Sequence, residues 1–124
     1  MKETLTECEL IVMKIIWQSE EVLSIQQILA QLDEVYHKNW KIQTVSTFLS
    51  RSVKKGYLKM TRKGRQFFYT PLVSEEEYGK REITKCVNFW GNGKIDALVA
   101  SFTKVRKFTD EEKSHIRSLL DDMD

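Results

Sequence analysis

The sequence predicts a mainly α chain carrying one small β-hairpin, and three observations predict it. Four Ser/Thr-x-x-Glu/Gln capping boxes each stand at the head of an apolar stripe with helical spacing. Near the middle, two strand-favouring runs flank a glycine-containing turn. A basic block with no acidic residue covers that hairpin and the segment before it. A chain of 124 residues fits one domain or two small ones, and 41% apolar content supports a modest core.

The elements follow in order. Thr6-Glu7-Cys8-Glu9 opens the first helix, whose stripe of Leu10, Met13, Ile16 and Trp17 runs to about Trp17. Residues 18–21 form a polar connection. Ser24-Ile25-Gln26-Gln27 opens the second helix, with Ile25, Ile28, Leu29 and Leu32 apolar. Residues 33–39 are polar and read as a loop. Residues 40–56 form the third helix and sort into two faces. Val45, Phe48, Leu49 and Val53 lie on one side, with Ile42 leading in. Gln43, Thr44, Ser46, Thr47, Ser50, Arg51 and Lys54 lie on the other. Gly56 after Lys54-Lys55 stops the helix, with cations at the negative end of its dipole. Two short helices before a basic third make a helix-turn-helix arrangement.

Residues 57–61 and 66–70 read as strands around a turn at 62–65, and Pro71 ends the second. A hairpin directly after a helix-turn-helix is a wing, here with Arg62, Lys63 and Arg65 at its tip. Ser74-Glu75-Glu76-Glu77 opens a new helix and marks a domain boundary, giving a domain at 1–73 and another at 74–124. Tyr78, Ile83, Val87 and Trp90 are the apolar members of this helix, and Gly91-Asn92-Gly93 breaks it. Ile95, Leu98, Val99 and Phe102 form the next stripe. Thr109-Asp110-Glu111-Glu112 opens the last helix, with Ile116, Leu119, Leu120 and Met123 apolar. Three short amphipathic helices rarely bury a sufficient core alone. Their stripes can be buried against a second copy, which makes 74–124 a helical dimerisation domain. Its contact residues are then Tyr78, Ile83, Val87, Ile95, Leu98, Val99, Phe102, Ile116, Leu119 and Leu120.

Charge distribution carries the functional reading. Net charge is only +2, but residues 1–34 set Lys2 and Lys14 against seven acids, a net of −5. Residues 35–74 hold nine cations and no acid, while residues 75–124 hold nine cations against eleven acids. The excess positive charge thus surrounds the third helix. A solvated helix face normally mixes both signs. Hydroxyls, an amide and cations without a carboxylate suit a helix in a DNA groove, where they meet base edges and phosphates. Gln43, Thr44 and Thr47 are the expected base readers. Ser46, Ser50, Arg51 and Lys54 are expected nearer the phosphates, and Lys41 with Arg62, Lys63 and Arg65 completes the DNA-facing set. No glycine-rich phosphate loop, metal-ligand cluster or nucleophile motif points to an enzyme, a metal or a cofactor. His37 and His115 read as ordinary histidines. Cys8 and Cys86 lack metal spacing and read as reduced thiols of a cytoplasmic protein. No apolar run reaches the roughly 18 residues that span a membrane, and there is no secretory signal pattern. A winged-helix module binding protein or RNA is the alternative, against which the single-signed charge argues.

These residues resemble the penicillinase-repressor family of bacterial transcription regulators, the BlaI/MecI/CopY group, over nearly the full length. The resemblance rests on Ile15-Ile16-Trp17, on Trp40 with Thr44-Val45 and Thr47, and on Arg51 with Lys54-Lys55-Gly56. Gly64-Arg65 with Tyr69 and Pro71 in the wing, and Leu98-Val99 leading to Phe102, complete it. It implies a winged helix-turn-helix followed by a three-helix dimerisation region. It further implies a homodimeric repressor that binds double-stranded operator DNA. The operator would be an inverted repeat with TACA/TGTA half-sites, contacted through the helix at 41–55 and the wing at 58–71. Departures are Leu10 for a tryptophan, Ser52 for a core leucine of the recognition helix, and Gln43 for a lysine. Gln43 could read adenine bidentately where lysine only donates. No cysteine follows Cys86, which argues against the copper branch's Cys-x-Cys sensing. In the β-lactam branch a signalling protease cuts between asparagine and phenylalanine. The matching bond here joins Ser101 to Phe102, a candidate cleavage site that lacks the asparagine.

Overall fold

The computed structural model describes residues 3–123. Its elements run α1 (Glu7–Gln18), β1 (Leu23–Ser24), α2 (Ile25–Tyr36), α3 (Ile42–Lys54), β2 (Leu58–Lys63), β3 (Gln66–Pro71), α4 (Glu75–Trp90), α5 (Ile95–Thr103) and α6 (Asp110–Asp121). The capping boxes at Thr6, Ser24 and Thr109 form with both reciprocal bonds, each hydroxyl taking one of the helix's orphan N–H donors. At Ser74 the hydroxyl accepts the Glu77 N–H at 3.1 Å and donates to Glu77 Oε1 at 3.1 Å.

Two local readings need correction. Residues 33–36 are helical, because Tyr36 continues the Leu32 stripe one turn on and is half-buried. The helix ends instead at His37, which adopts φ 55° and donates its N–H to Asp33 O at 3.1 Å. The hairpin also has a third strand. Leu23 and Ser24 pair antiparallel with Tyr69 and Phe68, giving the sheet order β1-β3-β2. In the hairpin itself Lys63 pairs with Gln66 across a two-residue turn. Gly64 takes φ 62° there, which a β-carbon would penalise. Arg62 and Lys63 therefore belong to β2 rather than to the turn.

The chain divides into two compact units, Met1–Gly79 and Lys80–Asp124, so the division falls inside α4, later than residue 73. The first unit is built on α1–α3 and the sheet. Its core includes Val12, Met13 and Ile15 of α1, Ile28 and Leu32 of α2, Val45 and Leu49 of α3, and Tyr57, Leu58 and Tyr69 around the wing. The first turn of α4 packs into this core. Tyr78 is buried, its ring centroid 5.7 Å from Trp17 and 5.5 Å from Tyr57, and its hydroxyl accepts the Leu5 N–H at 2.9 Å. Trp17 Nε1 donates to Val73 O at 2.9 Å, and Lys14 pairs with Glu75. Tyr78 therefore leaves the dimerisation set: its side chain is spent inside its own domain.

In the second unit, Gly91 is the only buried residue among the described residues 80–123. A β-carbon there would lie 2.5 Å from Lys94 O and 2.9 Å from Val87 O, so the turn into α5 requires glycine. Phe102 stacks on Phe108 with centroids 5.6 Å apart, and Arg106 lies 5.3 Å from the Phe102 centroid while pairing with Glu112 at 2.8 Å. The Arg106 guanidinium, with the Thr109 N–H, pulls the Glu112 carboxyl down to about 2. Ile83, Ile95, Val99, Phe102, Ile116, Leu119 and Leu120 are exposed, while Val87 and Leu98 are half-buried. Among the described residues no helix is long and apolar enough to cross a membrane.

Candidate nucleic-acid interface

α3 presents the site. Val45, Leu49 and Ser52 line its buried side, with Phe48 and Val53 half-buried beside them. The spacing places Gln43, Thr44, Thr47, Ser50, Arg51 and Lys54 on the opposite side, and all six are exposed. Ser46 is half-buried at the flank. Lys41 is the exposed N-cap residue and makes no side-chain cap bond. Ile42, read as leading into the apolar side, is 38% exposed because it sits on the first turn, beyond the body of the core. Trp40 packs edge-on against Phe48 at 5.3 Å, and Lys38 lies 5.8 Å from the Trp40 ring centre, which fixes the entry to the helix.

Two hydroxyls turn back on α3. Thr47 donates to Gln43 O at 3.0 Å, so toward a ligand it offers lone pairs and a methyl group. Ser52 donates to Phe48 O at 2.9 Å, and this satisfies the hydroxyl at a fully buried position. In the wing, Arg62, Lys63 and Arg65 are exposed. Arg62 folds onto its own hairpin: Nε donates to Gly64 O at 3.0 Å and its guanidinium carbon lies 5.7 Å from the Phe67 ring centre. Lys63 and Arg65 extend from the tip. Between α3 and the wing lies a shallow hollow of about 430 Å³, lined by Ile25, Ile42, Gln43, Ser46, Phe67 and Tyr69. Burial pushes the Tyr69 phenol up. Sequence reading missed the place of Lys55, whose ammonium turns inward to a buried Glu9. The signal was available, since Glu9 precedes Met13 and Ile16 at core spacing.

A family model described as penicillinase repressor matches residues 5–122. The chain belongs to the penicillinase repressor family. That is a family of DNA-binding repressors rather than enzymes, and the resemblance read from the sequence is borne out with it. The chain is 28% identical over 118 residues to the penicillinase repressor of Bacillus licheniformis, covering 95% of this chain and 90% of that one. It is 26% identical over 109 residues to the methicillin resistance regulatory protein MecI of Staphylococcus aureus (strain N315), covering 88% and 86%. The solution structure of the DNA-binding domain of the repressor BlaI superposes with a TM-score of 0.54 at 34% identity, over 63% of this chain and 94% of that domain. The monomeric form of Bacillus licheniformis BlaI in complex with the blaP half-operator gives a TM-score of 0.51 at 32% identity, over 63% and 92%. The winged helix-turn-helix expected from the sequence is thereby the fold of this penicillinase repressor family member.

Proposed function

We propose that the protein is a homodimeric transcriptional repressor that reads an inverted-repeat operator with TACA/TGTA half-sites through α3 and the wing, and is released by an inducing signal. The observation that carries this reading is the exposed side of α3: an amide, hydroxyls and cations, with no acid anywhere in residues 35–74. A related BlaI occupies a half-operator as a monomer, which supports one α3 per half-site. Gln43, Thr44 and Thr47 read bases, while Lys41, Ser46, Ser50, Arg51, Lys54, Arg62, Lys63 and Arg65 meet phosphates. Thr47 accepts from an exocyclic amine or contacts a thymine methyl, because its proton is committed to Gln43 O. The exposed stripes of α5 and α6, with Ile83 and Val87, pair two copies; these faces leave the second unit almost no buried core of its own. Ser101-Phe102 lies inside α5, so a signalling protease could cut it only after local opening. Phe102, stacked on Phe108, has packing as its first role.

The test is operator and random-duplex binding across a salt series. Thr47→Ala should lose about 1–3 kcal/mol of discrimination against the wrong base. Lys54→Ala should weaken both duplexes alike and flatten the salt dependence by about 0.9 in slope. Equal losses on both duplexes for both variants would remove Thr47 from base readout.

A further inference from the structure

Resting on the DNA-binding reading, we infer that Lys55 is a positioning residue rather than a DNA ligand, tied to buried Glu9 so as to seat the C-terminal end of α3. Three cations crowd that end, Arg51, Lys54 and Lys55. The first two are exposed, but the Lys55 side chain is 15% exposed and Glu9 is fully buried. Lys55 Nζ lies 2.6 Å from Glu9 Oε1 and 3.1 Å from Thr4 O. The same Oε1 accepts the Thr6 N–H at 3.0 Å, so one oxygen closes the α1 cap and holds the last turn of α3.

α3 needs such a tie. Its fully buried apolar residues are Val45 and Leu49, with Phe48 and Val53 packed half-buried beside them, and the next fully buried position is Ser52, whose hydroxyl is spent on its own helix. The end that carries Arg51 and Lys54 therefore has no fully buried apolar side chain of its own, only the half-buried Val53. Beside it is a hollow of about 470 Å³ lined by Glu3, Thr6, Glu9, Arg51, Lys54 and Lys55, space into which an untied helix end could shift. Glu9 Oε2 is buried and has no hydrogen-bond partner. A buried carboxylate satisfied on one side is a poor stabiliser, and an apolar pair of similar volume does as well or better. The pair fixes geometry: it holds Arg51 and Lys54 at the phosphate rail and withholds the third cation from it.

The experiment measures fluorescence anisotropy of the full chain on two duplexes, one bearing TACA/TGTA half-sites and one scrambled, over roughly 50–200 mM salt. Lys55→Met should lose operator affinity about tenfold, the scale of one impaired base contact, while keeping the wild-type salt slope. Glu9→Met, which removes the accepting oxygen, should reproduce it. Glu9→Met with Lys55→Met should stay folded, lacking only the cap bond that Glu9 Oε1 accepts from the Thr6 N–H, and show no larger binding loss than either single change, because one tie is broken in all three. A salt slope reduced in Lys55→Met as much as in Lys54→Ala makes Lys55 a phosphate ligand and overturns the inference alone. Unchanged operator affinity in Glu9→Met also overturns it. A wild type that does not separate the two duplexes overturns the DNA reading and this inference with it.

Discussion

Tyr78→Phe removes a single oxygen and asks which core that side chain serves. The hydroxyl accepts the Leu5 N–H at 2.9 Å in a buried setting, and Leu5 is itself buried. Phenylalanine keeps the ring contacts to Trp17 and Tyr57 but strands that N–H away from water. A buried donor left unpaired costs about 1–3 kcal/mol. For a unit of this size, about 2 kcal/mol corresponds to a drop of about 10 °C in melting temperature. Tyr57→Phe is the internal control. Its hydroxyl donates to the carbonyl of Glu3, an exposed residue, so water can replace it and the cost should stay under about 1 kcal/mol. The assay is urea unfolding at neutral pH, with hydrogen exchange of the Leu5 amide as the local probe. The Leu5 amide should lose protection in Tyr78→Phe and keep it in Tyr57→Phe. If Tyr78→Phe changes self-association and leaves the first unit's unfolding and the Leu5 amide untouched, the assignment of Tyr78 to that core is wrong.

Leu49→Ala should destabilise the first unit by about 2–5 kcal/mol, because the side chain is fully buried beneath α3; denaturant unfolding checks this. Glu112 supplies a pH prediction. Its folded carboxyl is depressed from the ordinary 4.5 to about 2, so the order it lends α6 is complete above the ordinary range and is lost as pH falls through 2. An NMR titration of the Glu112 carboxylate should find its midpoint near 2, and a midpoint in the ordinary carboxylate range would refute the Arg106 pairing.

What the sequence made legible follows the range of each interaction. Capping boxes need four consecutive residues, and those at Thr6, Ser24 and Thr109 form as read. The one-signed face of α3 was equally visible, since composition and helical spacing are both local. β1 was not, because two residues carry no period, and only the contact with Tyr69 and Phe68 makes them a strand. Tyr78 was misassigned for a related reason. It lies five residues from Ile83, off any clean stripe, and spacing cannot say which core receives it. Glu9 and Lys55 sit 46 residues apart, and their pairing depends on α1 and α3 packing together.

α3 itself shows what a polar, one-signed face costs the helix that bears it. Its sequence from Thr44 to Val53 is rich in threonine, serine and valine, all inferior to alanine in helix propensity. Unlike α1, α2 and α6, it has no side-chain cap at its N-terminus. Burial of Val45 and Leu49 must offset that deficit, which ties the interface to the core. An exposed hydroxyl on this helix should therefore cost stability and return function. Ser50 is exposed in the middle of the α3 face. Ser50→Ala should raise stability by about 0.5 kcal/mol, the propensity difference between the two residues, or about 2–4 °C in melting temperature. On the proposed phosphate role of Ser50, the same change should weaken operator binding. Thermal melts and anisotropy on one preparation test both halves. A variant that gains stability and binds the operator as well as wild type would mean that Ser50 meets no phosphate. A variant that loses stability would mean that the hydroxyl is structural, and the opposition argued for α3 would fail at this position.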